Sequence, residues 1–336
     1  MHLLVPFACD ISEACRHVLG DLALPNLARL LAVLTPMSRD DAEASTFSPP
    51  HERAIATAWG WSGGDGLLPF AADAARRDGV IAARSATHSG ADSGADFGAD
   101  SAAGDASGTS WGLVTPAYWQ LGRDHVAMTD PAALALTDAE SRELFGAVRE
   151  LFESVGFASA YGHAERWYIG RDDLAGYATA SLDRVIGRSV DGWLGAHGSS
   201  VGGLLRRLQS EVQLVFHEHA VNEAREARGE LVVNSFWLSG CGRAQAVDTA
   251  ATPRIDTTLR APWLAGDWAA WADAWHALDA GAIAACLGHV GRGEATAITL
   301  CGERSAAHFA LRPRPLWQRL RARWTGVEPQ ALLQGL

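Results

Sequence analysis

The chain has 336 residues, 48% of them hydrophobic, and its 28 basic and 39 acidic side chains leave a net charge of −11 at pH 7. That length and apolar content supply a core for one large domain or two ordinary ones, and the acidic balance argues against general nucleic-acid or anionic-membrane binding, so any anion site must be local. Every basic residue is arginine, which excludes a Schiff-base lysine and a Walker A lysine and leaves arginine forks as the permanent cations for a carboxylate or phosphate.

The start, MHLLVPFACD, has no positive n-region and its apolar run stops at Asp10. It reads as a first strand over His2 to Ala8, not a signal peptide. No uncharged apolar stretch approaches the ~20 residues of a membrane helix, so no membrane span and a cytoplasmic location are expected. Cys9, Cys15, Cys241, Cys286 and Cys301 form no CxxC pair, which points to buried free thiols, not a disulfide framework or zinc knuckle. A helical pattern follows over Ile11 to Leu19. A second runs through LPNLARLLAVL, with Pro25 in its first turn and Leu27, Leu30, Leu31 and Leu34 on one face. Residues 85–110 contain the tetrads SGAD, SGAD and FGAD and almost nothing apolar, and are expected to be a disordered insertion.

Beyond it, Thr137 and Glu140 form a capping box for a helix buried through Leu144, Phe145, Val148, Leu151, Phe152 and Val155 and stopped by Gly156. Two short strands, Phe157 to Tyr161 and Arg166 to Ile169, precede a helix over Leu204 to Phe216. Next comes the densest polar stretch, HAVNEAREARGELVVNSFWLSGCG. Asn222 reads as an N-cap, Gly229 as the helix stop, and VVNSFWL as a buried strand ending in the turn SGCG. Arg225 and Arg228, three apart, share a face and can point at one site. Downstream, Asp267 caps a helix carrying Trp268, Trp271, Trp275 and Leu278 on one side, where core packing and a stacking platform are the two readings. Ala295 to Cys301 reads as another buried strand. The segment 312–324, with five arginines, Trp317 and Trp324 and no acid, is the one basic amphipathic patch and the candidate surface for a protein partner.

No GxGxxG turn or HExxH motif is present, so local motifs of these kinds identify no enzyme. His217 and His219, two apart, do not share a helical face. Asp124 and His125, near Asp130, form a polar group open to either a loop or a catalytic reading.

Asn222, Arg225, Gly229, Asn234, Trp237, Gly240 and Gly242 together resemble a pattern of the archaeal-type cofactor-independent phosphoglycerate mutases, within the alkaline phosphatase-like superfamily. The LTDAESRELFGAVRELF helix, ERWYIG and LPNLARLLA are similar to further family segments. The whole-chain pattern also resembles the RpfE-type regulatory proteins. This resemblance implies an α/β protein with an alkaline phosphatase-like core of mostly parallel sheet flanked by helices (1–84 and 245–336, with 111–130 returning to it) and a small inserted α/β domain (131–244). The family chemistry needs two metal ions and a serine nucleophile. Here the first strand leads to Asp10 where the family has Asp-Gly, His51 and Glu52 fall near the expected serine, and Gly302-Glu303-Arg304 replaces a late Asp-His pair. The expectation is therefore a regulatory, catalytically degenerate protein without a cofactor, binding a small anionic metabolite through Asn222, Arg225, Arg228 and Asn234. The alternative is an active phosphotransferase or phosphatase with His51 and Glu52 catalytic and Asp10, Asp124, His125 and Glu303 holding manganese, magnesium or zinc.

Overall fold

The computed structural model describes residues 1–81, 108–194, 200–249, 252–312 and 328–336. The three tetrads, and all of the basic segment beyond Arg312, lie outside the described residues. The chain divides into two compact units, Met1–Ser62 with Ala246–Leu336, and Gly63–Gln245.

In chain order the first unit runs β1 (His2–Val5), α1 (Glu13–Asp21), α2 (Pro25–Val33), β2 (Thr35–Asp41) and α3 (Pro50–Ala58). The second has α4 (Phe70–Arg77), β3 (Ser110–Ala117), β4 (Trp119–Leu121), β5 (Val126–Met128), α5 (Asp138–Ser154), β6 (Ala158–His163), β7 (Arg166–Gly170), α6 (Leu182–Val185), α7 (Ser200–His217), α8 (Ala220–Ala227) and β8 (Ser235–Arg243). The chain re-enters the first unit with β9 (Arg254–Ile255), α9 (Arg260–Leu264), α10 (Trp268–Leu278), α11 (Ala284–Gly291), β10 (Ala297–Cys301), β11 (Ser305–Ala310) and α12 (Pro329–Gln334).

The first sheet has the order β2-β11-β10-β1-β9. Only β1 with β10 and β1 with β9 are parallel, whereas β10–β11 and β11–β2 are antiparallel. It is thus a mixed sheet, and the expected mostly parallel one is corrected, because β10 turns back directly through Gly302-Glu303-Arg304 into β11. Leu3, Val5, Ile298 and Leu300 pack into one core with Leu27, Leu30 and Leu31 of α2 and Trp271 and Trp275 of α10. Both tryptophans are fully buried and meet edge to face at 6.1 Å, so the aromatic stripe is core. Asp267 caps α10 by accepting from the Ala270 amide at 3.0 Å.

A histidine pair crosses this sheet. His2 Nε2 lies 2.8 Å from Thr299 Oγ1, which lies 2.9 Å from His308 Nδ1. Burial, the charge of His308 and the N-terminal amine bring the His2 pKa down from 6.5 to about 4, and burial, with Arg312 beside it, lowers that of His308. Below the ordinary histidine range the unfolded chain takes up protons that the fold refuses, so stability falls as pH drops from 6.5 towards 4. Melting temperatures across that window are expected to decline less steeply for His2→Gln than for the native chain; equal slopes would remove the assignment.

The second sheet, β6-β7-β3-β8, is antiparallel throughout. Along β7 the side chains alternate: Trp167 and Ile169 join the core made with α5 and α7, while Tyr168 joins Ala72, Ala75 and Trp111 on the α4 side. Both faces are covered, which explains why β3 is buried almost along its length. Because β3 pairs on both sides within this sheet, residues 111–117 belong to the second unit, not to a return into the first, and the boundaries fall at 62/63 and 245/246 where 131–244 was expected. The SGCG stretch is not a terminating turn. Strand β8 continues through it as a bulge in which Gly240 and Cys241 face the single residue Gly112. Gly240 has φ 63°, and a Cβ there would sit 2.8 Å from the Ala71 amide nitrogen, so this position requires glycine on both counts.

Candidate functional site

The polar stretch singled out in the sequence folds inward. The N-cap of α8 is His219, whose Nδ1 accepts from the Val221 amide at 3.2 Å, which frees Asn222 for another task. Asn222 is buried and donates Nδ2 to the carbonyls of Phe216 and Val233 while its oxygen accepts from the Val233 amide. It acts as a brace between the end of α7 and the chain entering β8. Asn234 does the same for β4, exchanging two hydrogen bonds with the Trp119 backbone at 2.7 and 2.9 Å. Trp237 is buried and donates Nε1 to the Ala180 carbonyl.

Arg225, 2% exposed, donates Nε to the Leu231 carbonyl at 2.7 Å, one terminal nitrogen to Glu140 Oε2 at 2.9 Å, and the other to the Leu134 carbonyl. Arg228 lies between Glu140 and Glu230 at 2.6 and 2.7 Å, and those carboxylates, Glu230 first, push its pKa up. Both forks are therefore neutralised within the chain. Glu140 belongs to the capping box, with Thr137 as its partner. Burial raises its pKa, but the Thr137 hydrogen bonds and the two arginines outweigh that and hold it below the ordinary glutamate value.

In the first unit, the ends of β1 and β10 carry Asp10 and Glu303. Asp10 Oδ1 accepts from the Ser12 amide at 2.6 Å, and Glu303 Oε2 from the Ile11 amide at 3.3 Å. Phe7, at φ 59°, is a left-handed residue without glycine's freedom. Its carbonyl accepts from Trp271 Nε1 and its ring packs 5.0 Å from His51, with Glu52 beside it in the first turn of α3. Cys9 donates to the Asp10 carbonyl and the Asp10 amide to Cys15. The hydrogen bond between the two sulfurs raises the Cys9 pKa and lowers that of Cys15. Asp124 and His125 belong to the other unit, exposed in the turn between β4 and β5. Among the described residues no three histidine, cysteine, aspartate or glutamate side chains are grouped to hold a metal ion.

Two recesses lie within the second unit. The larger, about 800 Å³, is bordered by Trp119, Gln213, His217, Glu223, Glu226 and Asn234; the two carboxylates on its border oppose an anion. The smaller, about 40 Å³, lies among Tyr177, Thr179, Arg206, Gln209, Phe236 and Trp237. There one terminal nitrogen of Arg206 is buried without an acceptor among the described residues. An unpaired buried donor is costly unless something meets it. Arg206 was not singled out in the sequence, although Arg206 and Gln209 stand three apart beside the apolar stripe of α7. The signal is faint because the remaining lining comes from residues 177–180 and from β8, far along the chain.

No family model matches the chain, and no relative among curated proteins matches it. Among solved structures it has distant neighbours. One is the cofactor-independent phosphoglycerate mutase from Thermoplasma acidophilum DSM 1728, at 12% identity over 92% of this chain and 89% of that one, with a TM-score of 0.34. Another is the PH0037 protein from Pyrococcus horikoshii, at 11% identity over 92% of this chain and 87% of that one, with a TM-score of 0.41.

Proposed function

We propose that this protein is a regulatory binding protein for a small anionic metabolite, held in the Arg206 recess of the second unit. One observation carries the reading: Arg206 is a cation in a recess with a buried nitrogen that no described residue satisfies, while Arg225 and Arg228 are already paired. A desolvated guanidinium meets a carboxylate or phosphate with two parallel hydrogen bonds, so the anion supplies what the fold leaves open. The regulatory setting rests on the resemblance to RpfE-type proteins.

The test is calorimetry and thermal melting of the full chain with acetate, inorganic phosphate and 3-phosphoglycerate, beside turnover of 3-phosphoglycerate with added manganese, magnesium or zinc. Saturable binding of at least one anion without turnover is the expected result. Metal-dependent turnover abolished by His51→Ala would replace this reading with the phosphotransferase one, and absence of binding by every anion would end it.

A further inference from the structure

The recess has a more specific chemistry than anion binding. Two carbonyls of lining residues are already engaged: Ala180 accepts from Trp237 Nε1 at 2.9 Å and Phe236 from Gln209 Nε2 at 3.0 Å. Thr179 Oγ1 accepts from the Cys241 amide at 3.5 Å, which leaves its own proton to give. The Tyr177 phenol has no acceptor among the described residues, and its pKa is raised, chiefly by burial, with the Arg206 charge acting in the opposite sense. The lining includes no aspartate or glutamate. It therefore offers donors from Arg206, Tyr177 and Thr179 against the side-chain oxygen of Gln209, and matches a ligand head richer in acceptors than in donors.

Charge then divides the acceptor-rich groups. One guanidinium neutralises a monoanion one to one, and a phosphate dianion would leave a negative charge uncompensated among Phe236, Trp237 and Leu238, in a chain whose net charge is already −11. Planarity favours the same choice, since the arginine fork and a carboxylate are flat and pair edge to edge. The remaining walls, which include Trp193, Leu205 and Trp237, are apolar and aromatic, and suit an apolar body behind the charged head.

Resting on the anion-binding reading above, we infer that the ligand of this recess is a monocarboxylate with a compact apolar or aromatic body, bound head-first on Arg206 with the Tyr177 and Thr179 hydroxyls as further donors. The two probes that decide it are phenylacetate and benzylphosphonate, which share a body and differ in the head. Titrated calorimetrically into the full chain, phenylacetate is expected to bind at least tenfold tighter. Arg206→Gln is expected to weaken phenylacetate by tenfold or more without lowering the melting temperature, because the arginine side chain makes no hydrogen bond with the described residues. Tyr177→Phe, which removes one hydroxyl and keeps the ring, is expected to weaken it several-fold. Arg207→Gln, one residue along and paired outward with Glu211 at 3.2 Å, is expected to leave it unchanged. Tighter binding of the phosphonate would overturn the carboxylate assignment and leave the anion reading standing. Failure of both probes, together with acetate and phosphate, would end both. Phenylacetate affinity unchanged in Arg206→Gln would place the ligand elsewhere and sink the assignment of this recess.

Discussion

Replacing Arg225 by alanine is expected to lower the stability of the second unit by about 3–5 kcal/mol, the range for removing one partner of a buried ion pair. The side chain is 2% exposed and joins three separate parts of the chain: Glu140 at the start of α5, the Leu134 carbonyl before it, and the Leu231 carbonyl after α8. Truncation strips one of its two arginines from a carboxylate that is itself only 17% exposed, leaving it Arg228 and Thr137, and strands two carbonyls. Lysine restores a charge but carries a single nitrogen where the site uses three, so Arg225→Lys should recover only part of the loss. Replacing both Arg225 and Glu140 by leucine should cost at least as much as Arg225→Ala alone, because it also removes the Glu140 arm of the capping box and the Arg228 contact. Glu140 is held below its ordinary pKa, so this contribution is present above about pH 4.5 and is lost as pH falls through its lower folded value. Urea midpoints of the four proteins at pH 7 measure the effect. An unchanged midpoint in Arg225→Ala with lost anion binding would return this arginine to the role of ligand arm.

The same residue shows where the sequence is legible. Local signals were readable because their causes are local: the Thr137–Glu140 box, Pro25 in the first turn of α2, and Gly156 at φ 87° after α5 all appear where the spacing placed them. Strand β2, TPMSRDD, was not readable, since it is an exposed edge whose charges and proline suppress any apolar alternation. The functional reading of Asn222, Arg225 and Asn234 rested on polar residues in a regular pattern beside glycines. Such a pattern says that hydrogen bonds are made, but whether the partner is a ligand or a backbone 6 to 115 residues away is set by tertiary contacts. Arg206 is the converse, an ordinary-looking helix residue whose importance depends on Tyr177, Thr179 and Trp237 being folded around it. The sheet order was equally hidden, because the antiparallel return of β11 hangs on a three-residue turn with no distinctive composition.

Asp279 carries the second large expectation. Helix α2 begins without a side-chain cap of its own, yet its orphan amides are met: Asn26 N donates to Asp279 Oδ2 at 3.1 Å and Leu27 N to Oδ1 at 2.7 Å. The carboxylate is 4% exposed and faces the positive end of the helix. It is placed there by a π-helical turn, Asp279–Ile283, between α10 and α11. The Asp279 carbonyl accepts from Ala284 across that widened turn and also from Asn26 Nδ2 at 3.2 Å, so the irregularity and the cap are one arrangement. Asp279→Ala removes two hydrogen bonds and leaves one buried and one part-buried amide unpaired, an expected loss of about 2–4 kcal/mol from the first unit. Asp279→Asn keeps one acceptor oxygen and should lose about half as much. Hydrogen exchange at the Asn26 and Leu27 amides separates this from general loosening: both should exchange faster in Asp279→Ala at denaturant concentrations where the Leu30 and Leu31 amides remain protected. If all four accelerate together, the carboxylate supports the core as a whole; if none does and the denaturation midpoint holds, α2 is capped without it.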